Sequence, residues 1–145
     1  MSWIKGAFIF AFVRNPWDRM VSLYHYLIRM SYQVPATFEG FIELVVAGDY
    51  PRPCKLNLLG YYQANRLTDW LKPDGVWLPH FIGKVENLAA DWETVSTILG
   101  IKYQSMGHRN KSKHGPYQDY YVTRTHQLVA GRFAEEIDIF KYTFN

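Results

Sequence analysis

The densest concentration of chemistry in the sequence is Phe12-Val-Arg-Asn-Pro-Trp-Asp-Arg-Met-Val-Ser22, where an apolar run delivers an arginine to the mouth of a helix. Asn15 stands where an N-cap belongs, Pro16 at the first helical position and Asp18 in the first turn, so the helix begins at Pro16. Its amino end offers unpaired N–H groups and about half a positive charge; Arg14 adds a planar fork of donors and Ser22 a hydroxyl. That combination suits an anion, and a phosphate would bridge the three. On geometry alone a plainer reading weighs the same: Arg14 pairs with a carboxylate and Ser22 is an ordinary helix residue.

A second basic feature runs from Lys102 to Pro116, which holds Lys102, His108, Arg109, Lys111, Lys113 and His114 without one acidic residue. Its lysines and amides could meet phosphate, or the segment is a solvated loop, as most charge runs are. His25, His80, His108, His114 and His126 are candidate bases by residue type alone, histidine being the side chain suited to proton transfer near neutrality. The sequence gives none of them a partner. His25, three residues beyond Ser22, shares roughly one helix face with it. Glu86 reads as a helix-start residue rather than a catalytic carboxylate. Cys54 lies in a proline-flanked loop with nothing to activate its thiol, and His108-x5-His114 lacks the spacing and companions of a zinc site.

These residues depend on a series of elements. Ala7 to Val13, seven apolar residues bounded by Gly6 and Asn15-Pro16, is too short for a stable helix and reads as a strand buried on both faces, the kind that parallel sheets contain. From Pro16 to about Met30 the positions Trp17, Met20, Val21, Tyr24, Leu27 and Ile28 recur at helical steps and place one stripe against the sheet. A second helix runs from Thr37 to the stop at Gly48, and Asp49 to Asn57 is a loop. Tyr61 to Leu71 is ambiguous and closes on the Lys72-Pro-Asp-Gly75 turn signal. Val76 to Ile82 reads as a short strand with Pro79 at an edge or bend. Asp91 to Leu99 reads as a helix capped by Gly100. One final helix is expected from about Thr123 to Glu136, after which Asp138 to Phe144 docks its aromatics on the core.

The composition sets the outer limits. At 145 residues the chain is expected to form a single domain, and a chain this long buries roughly 68% of its unfolded surface without staples. A content of 48% hydrophobic residues against 20% charged excludes global disorder. The net charge of +3 is too mild to favour a nucleic-acid or polyanion binder, although basic residues interleaved with Tyr117, Tyr120 and Tyr121 keep that class in view. With one cysteine there is no intrachain disulfide. The apolar run near the start is about half the ~20 residues of a membrane span, and no signal-peptide cleavage site follows it, so a cytoplasmic location is the expectation.

The stretch Phe12 to Tyr24 resembles the 3′-phosphate-binding motif of sulfotransferases that use 3′-phosphoadenosine 5′-phosphosulfate (PAPS), particularly the carbohydrate branch. The likeness continues at Tyr62-Gln63, at Phe81-Ile-Gly-Lys-Val-Glu-Asn-Leu88 with Asp91, at His108 to Lys113, at Tyr117 to Tyr121, and at Val129, Asp138-Ile139 and Phe140 to Phe144. Nearly the whole chain is covered, in order. The resemblance implies an α/β, helix-rich, parallel-sheet P-loop-like sulfotransferase fold. It implies PAPS as co-substrate with no metal, and a hydroxyl of a carbohydrate-like acceptor as the target. It assigns the 3′-phosphate to Arg14 and Ser22, and contacts to the nucleotide to Asn110, Lys111, Ser112 and Lys113.

Relatives usually begin with a strand, a P-loop-like 5′-phosphosulfate turn and a helix, and the segment after that loop commonly carries the base. The expectation is therefore an amino-terminally truncated domain whose catalytic residues are unknown. Gly83-Lys84 does not stand in for the loop, because Leu78 and Val85 break G-x-x-x-x-G-K-[ST]. Lys141 replaces a glycine common in the closing motif, which bears on a local turn. A truncated sheet exposes an edge, so self-association or a partner chain carrying the missing segment is expected. The alternative is a non-catalytic relic or interaction module that retains the anion pocket.

Overall fold

The computed structural model describes residues 6–48, 63–105 and 114–145. The chain folds as two compact units, one of Met1–Arg14 with Asp69–Arg109 and one of Asn15–Thr68 with Asn110–Asn145.

In the first unit, strand β1 (Phe10–Val13) pairs in parallel with β2 (Phe81–Lys84), Phe10 opposite Phe81 and Val13 opposite Lys84. Both strands are shorter than or displaced from the sequence expectation. Ala7 to Ile9 lie outside β1, and only Val13 of the strand is buried, the other three residues being half-buried rather than enclosed on both faces. The second strand starts at Phe81, not Val76, because Pro79 has no N–H to give a ladder. His80 opens the pairing instead: its backbone N–H donates to the Ile9 carbonyl at 2.7 Å, and its Nδ1 accepts from the Ile9 N–H at 3.1 Å. That role occupies one of the five candidate bases.

Gly83 is required by close approach. A Cβ there would lie 2.5 Å from the Phe12 ring and 3.0 Å from the Asp91 Cβ. Asp91 accepts from the Lys84 N–H at 2.6 Å through one oxygen and from the Asn87 Nδ2 at 2.9 Å through the other. The carboxylate thus ties the end of β2 to the next helix, α4, which spans Leu88–Leu99 and starts three residues earlier than the apolar spacing suggests. A 3-10 turn over Val85–Asn87 contains Glu86, and Gly100 closes α4 in the left-handed conformation. A single helical turn, α3 (Thr68–Leu71), and a 3-10 turn at Pro73–Gly75 occupy the ambiguous stretch and the turn signal.

The second unit is helical. Helix α1 (Pro16–Arg29) buries Trp17, Met20, Val21, Leu23, Tyr24 and Leu27, while Ile28, counted in the stripe from spacing, stands 47% exposed. Within this unit the helix packs on α2 (Phe38–Ala47), on α5 (Thr123–Arg132) and on a 3-10 turn at Tyr117–Tyr120. Gly48 ends α2 as the sequence predicts, and Thr37, expected as the start of this helix, is its N-cap, its hydroxyl accepting from the Gly40 N–H. The expected final helix divides at Phe133 into α5 and α6 (Ala134–Phe140), because the fully buried Phe133 anchors the junction. Asp138 to Phe140 are accordingly helical, and Phe140 and Tyr142 are buried. The loop expected at Asp49 to Asn57 lies outside the described residues.

One buried ion pair ties this unit together. Arg19, 4% exposed, donates to both oxygens of the fully buried Glu136 at 2.8 and 3.3 Å, and its guanidinium lies 4.8 Å from the Phe133 ring centroid. Glu136 also accepts from the Leu67 N–H, and Arg19 reaches the Asn65 carbonyl at 3.4 Å. Removing one partner leaves a buried charge uncompensated, so Glu136→Ala is expected to lose about 3–5 kcal/mol in urea denaturation, with the apolar pair R19M/E136L more stable than either single variant. Lys141 ends α6 with φ 55° and ψ 47°, the left-handed conformation that glycine takes without strain. Lys141→Gly is expected to stabilise the fold by up to about 1 kcal/mol, read as a higher melting temperature.

Candidate functional site

Asn15, the residue after the predicted anion-binding arginine, makes three contacts at once. Its Oδ1 accepts from the Trp17 N–H at 3.1 Å, the N-cap bond that the sequence predicts. Its Nδ2 donates to the Thr143 carbonyl at 2.9 Å and to the Tyr117 hydroxyl at 3.4 Å. The Tyr117 hydroxyl in turn donates to the Asn145 carbonyl at 3.0 Å. A single side chain therefore caps α1 and pins the C-terminal aromatic segment to its start. Trp17 stacks on His126 at 5.2 Å, 7° from parallel, and the Trp17 Nε1 donates to the His126 carbonyl at 3.2 Å. Phe144 packs edge-on against both rings. His126 is thus a wall of this cluster.

Arg14 is half-buried directly after β1, at the end of the first unit, and Ser22 is half-buried in the second turn of α1, in the other unit. The Tyr121 hydroxyl donates to the Trp17 carbonyl at 2.9 Å, and burial, followed by the charge of Asp18, pushes its pKa far up. It is a fixed neutral donor. Asn110, Lys111, Ser112 and Lys113, like His108 and Cys54, lie outside the described residues.

A model of the sulfotransferase family matches residues 2–143. The chain belongs to the sulfotransferase family. No curated protein and no solved structure matches it. A small parallel sheet in an otherwise helix-rich chain agrees with the α/β architecture of such a sulfotransferase. Among the described residues, no helix is long and apolar enough to cross a membrane.

Two features of this sulfotransferase went unassigned from sequence. Arg19 has its structural role, and the signal was present: a charged residue placed within the apolar stripe between Trp17 and Met20. The other is a ring cluster around His25. The His25 Nε2 lies 2.9 Å from the Tyr120 hydroxyl, and its ring stacks on His114 at 5.4 Å and 20°. His114 Nδ1 lies 2.7 Å from the Gly115 carbonyl. The two histidines are 89 positions apart in sequence, so no local pattern reveals the pair.

Burial first, and the charge of His114 second, hold the His25 pKa below its ordinary value. The unfolded chain then binds more protons than the folded one at mildly acidic pH. This contribution to stability is complete above the unfolded-state value of about 6.5 and is lost as pH falls through the lowered folded-state value. NMR titration of the imidazole resonances is expected to place His25 below 6.5, and His114→Gln is expected to move it upward.

Proposed function

We propose that the chain binds PAPS and transfers its sulfuryl group to a hydroxyl of a carbohydrate-like acceptor. The observation that carries the reading is the family match over residues 2–143 together with the capped helix start that follows Arg14. Asn15 and Pro16 fix the first turn of α1, leaving the helix amino end as a source of aligned N–H groups and positive potential. Arg14 would supply bidentate donors to the 3′-phosphate and Ser22 a hydroxyl, as the family motif implies. Asn110, Lys111, Ser112 and Lys113 would add cationic and amide contacts to the nucleotide. Sulfuryl transfer further needs a base on the acceptor hydroxyl and positive charge over the transferring group.

Two properties of the residues support an anionic nucleotide as the ligand. An arginine guanidinium, as at Arg14, presents a planar fork of donors that matches the oxygens of a phosphate. Asn15 is committed to the cap and to the C-terminal segment, which keeps the start of the helix in one orientation for its ligand.

Calorimetric titration of the chain with 3′-phosphoadenosine 5′-phosphate, against adenosine 5′-phosphate, tests the reading. Selective binding of the 3′-phosphorylated nucleotide is expected. Arg14→Ala is expected to lose roughly 1.5–3 kcal/mol of that binding, roughly a 10- to 150-fold weaker Kd, with the fold intact by circular dichroism. Discrimination that survives in the variant removes Arg14 from the site. Selective binding without sulfate transfer to any of a panel of sugar hydroxyls makes the chain a nucleotide-binding module rather than an enzyme.

A further inference from the structure

We propose that the stacked His25–His114 pair forms a proton-accepting arm of the 3′-phosphate site on α1, so that nucleotide binding draws a proton from solvent. This rests on the assignment of Ser22 to the 3′-phosphate under Proposed function and adds to it a coupling to pH.

Ser22 and His25 are three residues apart on α1, which sets their Cβ atoms roughly 5–6 Å apart on one helix surface. A phosphate held by the Ser22 hydroxyl is therefore within one side-chain length of the imidazole. His114 comes from a different part of the chain and lies nearly parallel to that imidazole at 5.4 Å. Its Nδ1, 2.7 Å from the Gly115 carbonyl, is the nitrogen that keeps a proton as donor, which leaves Nε2 to take up the second. His25 has the Tyr120 hydroxyl 2.9 Å from its Nε2, a group able to donate to the neutral ring or accept from the charged one. Both rings are thus equipped to change protonation state without losing their partners.

Without ligand, two charged rings in stacking contact repel, and partial burial penalises charge on His25. A phosphate dianion reverses that balance, since an opposite charge within about 4–6 Å favours the imidazolium. The neighbouring elements carry other titratable groups: Asp18, four residues before Ser22 on α1, acts on the Tyr121 hydroxyl, and the rest are either engaged with partners of their own or exposed. On α1, Arg29 lies over the Tyr26 ring at 5.5 Å, and Tyr24 bonds the Ala36 carbonyl at 3.1 Å. Glu43 of α2 pairs with Arg124 of α5 at 2.7 Å, and His126 of α5 stacks on Trp17. Glu39 of α2 and Asp119 beside Tyr120 are exposed. The His25–His114–Tyr120 cluster is accordingly where an added anion at Ser22 changes proton occupancy.

The test is calorimetric titration of the full chain with 3′-phosphoadenosine 5′-phosphate at pH 6.5, in two buffers of different ionisation enthalpy, for wild type, His25→Gln and His114→Gln. The nucleotide's own phosphates titrate near pH 6, and that contribution is common to all three proteins, so the difference between wild type and variants isolates the histidines. Wild type is expected to take up a few tenths of a proton more per nucleotide than either variant. Its affinity is also expected to tighten roughly threefold more than theirs between pH 7.5 and 6. His114→Gln keeps the test open if His25→Gln fails to fold, because it leaves α1 unchanged. Nucleotide binding with equal proton counts in wild type and folded variants overturns the histidine arm and leaves the nucleotide reading standing. No binding by wild type overturns both.

Discussion

The buried pair of Arg19 and Glu136 is the constraint on which the helical unit depends. Two charges separated by 117 positions in sequence meet at 2.8 Å with almost no exposure to water, so each makes the other's burial tolerable. The carboxylate holds α6 and the backbone at Leu67 to α1, and the cation lies on the ring of Phe133, where α5 gives way to α6. The pair's Coulombic gain is offset by desolvation, so its contribution lies in register: any shift of α1 along its axis would strand a charge. Among the described residues the Arg19 Nε has no hydrogen-bond partner, and its contact with the aromatic face partly offsets that cost.

With α1 fixed along its length, Asn15 fixes its start. One amide caps the helix and accepts the return of the C-terminal segment, so the helix amino end and the aromatic group of Trp17, His126 and Phe144 are formed together. Phe38 of α2 extends the same seam through edge-on contacts with Tyr24, Tyr120 and Tyr121. Rings in T-shaped contact pack densely while leaving hydroxyls at their edges. Those hydroxyls serve two different ends. Tyr121 is a locked donor to the first turn of α1, whereas Tyr120 meets the His25 imidazole, whose pKa burial and His114 hold below its ordinary value.

In the smaller unit, a carboxylate and a glycine do comparable work. Gly83 lets the Phe12 ring lie against the backbone of β2, and Asp91 answers the amide at the strand's end. Both residues fall in the block that resembles the family pattern, and each has a local physical reason to be what it is. That conclusion needs only sterics and hydrogen-bond satisfaction.

Local signals in the sequence were enough to place the start of α1, the stop of α2 and the stop of α4, because caps, proline and glycine act within one turn of chain and need nothing distant. The family was legible there too, through blocks spread over nearly the whole chain, and the proposal that Arg14 and Ser22 hold the 3′-phosphate rests on that likeness. Only the tertiary structure decided where β2 begins, since the ladder partner of His80 is Ile9, and where the last helix breaks, since Phe133 is held by the core and not by its neighbours in sequence. The same holds for Arg19, whose partner Glu136 lies 117 positions away, and for His25, whose partner comes from 89 residues away. Long-range pairs of charges and rings have no periodicity, so they become legible only when folding has closed the loops between them.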